Sequence, residues 1–173
     1  MRIKPLLAIL VWLCVFQFIM STNHLFASSH LALQADRVLS TNLIMRIEDA
    51  KAAAGVEDLN YMEVIGYYSR PPTELMPKME YFGTSFFEWG NTSRILMFLQ
   101  TLGINDLEPL PLNEKGRMIE IANSMPVWPQ KGSVKVVGDT VLVKFGPYSD
   151  IQRQIICSNE QNRQIQIEVF CKQ

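Results

Sequence analysis

The hydrophobic pattern changes character once along the chain. From Leu6 to Met20 the sequence reads LLAILVWLCVFQFIM, a run with no charge and one amide, preceded by Arg2 and Lys4. Beyond it, apolar residues recur at intervals. Leu31, Ala35, Leu39, Leu43, Ile47, Ala50 and Ala54 fall at steps of three and four and predict a helix stopped by Gly55. At 1.5 Å per residue that helix is about 36 Å long. His24 to His30 is expected to be a short connection between the apolar run and this helix. Tyr61 to Tyr68 (YMEVIGYY), rich in aromatic and β-branched residues and closed by Pro71 and Pro72, predicts a strand. Asn91, Thr92 and Ser93 can each cap a helix through Ile95, Leu96, Phe98, Leu99 and Leu102 to Gly103. Asn113 is placed to cap another through Met118, Ile121 and Ala122, ended by Pro126 and Pro129.

Two alternating runs within Val134 to Phe145 flank Gly138-Asp139, a pair suited to the positive φ of a tight hairpin turn. Gln164 to Phe170 alternates again and predicts a last strand. The fold class is therefore α+β. An N-terminal transmembrane helix is followed by a long helix and a small, mostly antiparallel sheet with two short helices. Residues 1–22 form the anchor and 23–173 one outer domain.

The apolar run admits two fates. Counted from Ile3 to Met20 it approaches the roughly 20 residues that span a bilayer. Its basic start and the small residues Ala27-Ser28-Ser29 also describe a cleavable signal peptide. In both cases Arg2 and Lys4 hold the N-terminus in the cytoplasm and the rest of the chain lies across the membrane. In an oxidising compartment Cys157 and Cys171 are the natural disulfide pair, worth on the order of 3 kcal/mol. Cys14 lies within the apolar run. The formal net charge of −1 gives no basic excess to drive phosphate contacts, so nucleic acid is not an expected partner.

Catalytic signatures are lacking. The sequence holds no G-x-S-x-G, no glycine-rich phosphate loop, no H-E-x-x-H and no Cys/His spacing for a metal, so no catalytic residue, cofactor or metal is assigned. His24, His30, Asp36, Glu48, Asp49, Glu88 and Asp106 are the isolated ionisable candidates. Glu48 and Asp49, adjacent on a helix, point about 100° apart and do not converge. Two segments stand out: Tyr81 to Asn91 (YFGTSFFEWGN) and Met125 to Gly132 (MPVWPQKG). Aromatic planes beside hydrogen-bonding side chains suit sugars, whose C–H faces stack while their hydroxyls need polar partners. Trp89, Trp128, Glu88, Tyr81 and Asn91 are the candidate glycan contacts, with core packing the alternative role of both tryptophans.

The order of apolar run, long helix, YFGTSFFEWGN, RILMFLQTLGI and MPVWPQKGSVKVVGDTVLVKFG resembles the C-terminal end of the serotype-converting O-antigen glucosyltransferases of bacteria and their phages. The resemblance covers Asn23 to Gly146. It implies multi-pass enzymes that take glucose from a polyprenyl phosphate at the periplasmic face and add it to a lipid-linked O-antigen repeat of lipopolysaccharide. It also implies location in the bacterial inner membrane with a periplasmic C-terminal domain. This chain has one apolar segment where the family has about ten, and the loops expected to carry catalytic acids have no counterpart. The expected function is thus a membrane-anchored, non-catalytic terminal portion. Its partners would be the lipid bilayer and either a multi-pass transferase core or a lipid-linked glycan. The alternative is an independent exported envelope module that docks through the Leu31 to Ala54 helix.

Overall fold

The computed structural model describes residues 3–69 and 84–158. Among the described residues, four helices and a four-stranded mixed sheet make up an α+β fold. Helix α1 (Ile3–Ala54) holds 52 residues, about 78 Å of helix. The expected break at His24 to His30 does not occur: both histidines are exposed on a continuous helix. No Gly or Pro lies between Leu6 and Ala54, and the Ser, Asn and His residues there each cost only a fraction of a kcal/mol as helix formers. Gly55 ends the helix in the left-handed conformation, φ +65°.

The chain divides into two units, Met1–Arg37 with Pro71–Ser85, and Val38–Arg70 with Phe86–Gln173. In the first, Leu7 to Met20 exposes its large apolar side chains, and α1 is the one helix among the described residues long and apolar enough to cross a membrane. Farther along, Ser28, Ala32 and Asp36 are buried at successive i, i+4 positions, and Asp36 Oδ1 accepts a 2.5 Å hydrogen bond from Ser85 Oγ.

The second unit contains the sheet, β1 (Tyr61–Ile65), β2 (Glu108–Pro109), β3 (Val134–Val137) and β4 (Thr140–Lys144), in the order β2-β1-β4-β3. Only β3 and β4 pair antiparallel, closing the expected hairpin through Gly138 at φ +62°. The pairings of β1 with β2 and with β4 are parallel, so the mostly antiparallel expectation is corrected. The cause lies in β1 itself. Met62 to Ile65 are buried on both faces, as a strand covered on both sides requires, and parallel neighbours are reached by long crossovers. The crossovers supply α2 (Thr92–Gln100) and α3 (Leu112–Ser124). Asn91 caps α2 as expected, its side chain accepting from Arg94 N at 3.1 Å. Asn113 does not cap α3; it lies inside the first turn, and Pro111 holds the cap position without a side-chain bond.

Helix α4 (Asp150–Ser158) is an addition to the expected elements. Ser149 and Gln152 start it as a reciprocal pair: Gln152 N donates to Ser149 Oγ at 3.2 Å and Ser149 N donates to Gln152 Oε1 at 3.1 Å. One face of the sheet packs through Ile65 and Leu142 onto Ile119 and Ala122 of α3, Tyr148, and Ile156 of α4. Leu39, Leu43 and Ile47 of α1 are also buried in this unit. The strand expected at Gln164 to Phe170 lies outside the described residues.

Two glycines fix how the chain leaves β1. Gly66 has φ +75°, and a Cβ there would lie 2.6 Å from the Gly146 backbone; a Cβ on Gly90, φ +58°, would collide with the Gly66 carbonyl. Gly138 has open space around it. Gly66→Ala and Gly90→Ala should each cost at least ~2 kcal/mol, and Gly138→Ala only about 1 kcal/mol, in denaturant unfolding of the micelle-bound chain.

Candidate functional site

A cleft of about 200 Å³ opens where β1, the turn before α2 and the start of α4 meet. Its floor is Glu63, the single charged residue of the apolar strand YMEVI and 2% exposed. Strand alternation places Glu63 on the face of Ile65, toward α3. From the first turns of α3, Lys115 Nζ donates to both Glu63 oxygens at 2.8 Å. Thr92 joins them: its Oγ1 accepts from Val64 N at 3.1 Å and lies 3.4 Å from Glu63 Oε2. Burial holds the Glu63 pKa above the ordinary carboxylate range, and Lys115 and Thr92 only partly offset it. Burial also raises the Tyr148 phenol, and the Glu63 charge adds to the effect.

Gln152 closes the inner end of the cleft. Its Nε2 donates to Val64 O at 3.0 Å and to Gly90 O at 2.8 Å, while its Oε1 accepts from Gly66 N and Ser149 N, both at 3.1 Å. Two donors and two lone pairs are thereby used, so this amide builds the site and has no capacity left for a ligand.

The outer wall is apolar and wet. Trp89 is 60% exposed, with Ile151 at 70% and Ile155 at 50% beside the same cleft. Arg94 lies 5.9 Å from the Trp89 ring centre and 5.2 Å from that of Phe86. Asn91 and Ser93 contribute polar groups at the mouth.

Of the expected glycan contacts, the cleft gathers Trp89 and Asn91. Glu88 is half-buried on the preceding turn and does not line it; Tyr81 lies outside the described residues. Trp128 is elsewhere, half-buried, its ring against Phe145 at 5.8 Å and under the Arg46 guanidinium at 4.5 Å. Arg46 also donates to Gln130 O at 3.0 Å, tying this loop to α1. Cys14 is free, and Cys171, the expected partner of Cys157, lies outside the described residues. Glu63, Lys115 and Gln152 were not among the residues singled out by sequence. The readable signals were a lone acid in an apolar strand and the Ser149-x-x-Gln152 capping pair.

Glu63 is the only carboxylate lining the cleft among the described residues, so a two-carboxylate glycoside mechanism has no second member here. Among those residues no three His, Cys, Asp or Glu side chains are grouped to hold a metal ion. The arrangement is suited to binding: a stacking plane, hydrogen-bonding groups and a buried ion pair that fixes the floor. No family model, curated protein or solved structure matches the chain.

The raised pKa gives a pH signature. The folded protein holds the Glu63 proton more tightly than the unfolded chain, where Glu titrates near ~4.3. The stabilising contribution is therefore fully present below that value and is lost as pH rises through the folded pKa. Lys115→Met should destabilise by about 3 kcal/mol at neutral pH by leaving a buried charge unpaired. The loss should shrink as Glu63 becomes protonated in acid, as measured by denaturant unfolding across pH.

Proposed function

We propose that this chain is a membrane-anchored, non-catalytic glycan-contact domain, the counterpart of the periplasmic C-terminal end of an O-antigen glucosyltransferase. The observation that carries the reading is Trp89, 60% exposed at the mouth of a cleft that also holds Asn91, Ser93 and the Glu63–Lys115 pair. An indole kept in water beside fixed polar groups offers a sugar a stacking face and hydroxyl partners together. The apolar segment Leu6 to Met20 supports bilayer attachment, and the flanking Arg2 and Lys4 support an outward-facing domain of the bacterial inner membrane. A Cys157–Cys171 disulfide belongs to the same proposal. The resemblance supplies the glycan, a lipid-linked O-antigen repeat, and a multi-pass transferase core as partner.

The exposed Ile151 and Ile155 favour a second reading, an independent exported envelope module that docks a protein on this rim and not through the Leu31 to Ala54 helix, whose Leu39, Leu43 and Ile47 are buried. Binding of delipidated O-antigen polysaccharide to the micelle-bound chain, followed by Trp fluorescence and calorimetry, separates the two. Trp89→Ala should weaken binding about tenfold, a loss of roughly 1.4 kcal/mol. Trp128→Ala should lower stability and leave the affinity of the folded fraction unchanged. Unaltered affinity in a folded Trp89→Ala protein removes the glycan reading, and absence of polysaccharide binding by the unsubstituted chain favours the docking module.

The cysteines test the compartment. Alkylation of the denatured, unreduced protein from intact cells should tag Cys14 alone, with Cys157 and Cys171 reacting only after reduction. Labelling of all three without reductant would contradict an oxidised outer domain.

A further inference from the structure

A second cavity of about 370 Å³ lies in the same unit, between the last turns of α1, the approach to β1 and the end of α2. That volume is within the roughly 300–1,000 Å³ range of small-molecule sites. Its floor is apolar, made by Ile47, Leu59 and Leu99, all buried. Its rim is acidic. Glu48, Asp58 and Asp106 come from three separate elements and are exposed, against one cation, Lys51. Helix α2 ends at the cavity, and no basic residue in its last turn offsets the partial negative charge of its C-terminus.

We propose that this cavity binds a small organic ammonium ion with an apolar body, the body on the Ile47, Leu59 and Leu99 floor and the cationic head among Glu48, Asp58 and Asp106. The apolar contact supplies affinity, and the net negative rim selects the cation over a neutral or anionic molecule of equal shape. The site is separate from the Trp89 cleft, with no lining residue in common. Its existence does not depend on the glycan reading.

The test uses the full chain in micelles and three matched probes: phenethylammonium, 2-phenylethanol and phenylacetate. Binding is read from the backbone amide shifts of Gly103 and Asn60, which line the cavity. The ammonium should bind about tenfold more tightly than the alcohol, with the preference falling as ionic strength rises, and the carboxylate should not bind. Asp58→Asn with Asp106→Asn should reduce the ammonium to the affinity of the alcohol, and Lys51→Gln should tighten it. Equal binding of ammonium and alcohol, shifts insensitive to the two Asn substitutions, or no shift at Gly103 and Asn60 would each overturn the proposal.

Discussion

The second unit depends on one side-chain amide. Gln152 bonds to both ends of the turn that leaves β1, through Val64 O and Gly66 N, and to Gly90 O before α2. With Ser149 it also starts the helix that carries it. Three segments distant in sequence are therefore held by four hydrogen bonds from a single group. A half-buried amide with all its partners in place is stabilising, whereas losing any partner would leave desolvated backbone groups behind. The glycine contacts follow from this clasp. Backbone drawn this close leaves no room for a Cβ on Gly66 or Gly90, and the result is a Trp89-Gly90 corner that holds the indole outward at the cleft.

Electrostatics orders the neighbouring helix on the same face of the sheet. Helix α3 is gripped at both ends by charges from adjacent strands. Glu63 of β1 takes Lys115 near the helix start, and Lys144 of β4 donates to the carbonyls of Asn123 and Met125 at its end, 3.1 and 2.8 Å away. A negative group near an N-terminus and a positive one at a C-terminus both agree with the helix dipole. Glu63 is nonetheless the less comfortable member, because burial works against its charge. A carboxylate kept in an apolar strand under those terms gives the cleft a rigid polar floor.

How much could be read from the sequence differs by element. The hairpin at Gly138-Asp139 and the Asn91 cap rest on short-range chemistry and appear at the expected positions. The connection expected at His24 to His30 is absent because polar residues do not by themselves end a helix that lacks Gly and Pro. The parallel order was hidden because a five-residue strand buried on both faces has no alternation to show which neighbour it takes. Of the cleft, Trp89 and Asn91 were legible. Its floor and inner end arise from contacts across long separations, Glu63 with Lys115 over 52 residues and Gln152 with Val64 over 88, and no local pattern pairs those residues. The Ser149-Gln152 box was a local signal for α4.

The proposed function is that of a glycan-contact domain that completes a transferase without performing its chemistry. It is tested most directly by transfer of labelled glucose from polyprenyl phosphate to O-antigen acceptor in two membrane preparations. One contains this chain alone; the other contains it together with a multi-pass transferase core lacking its own C-terminal tail. The account predicts no transfer in the first and restored transfer in the second. Transfer by the chain alone, or none in the second with the chain inserted and folded, would contradict it.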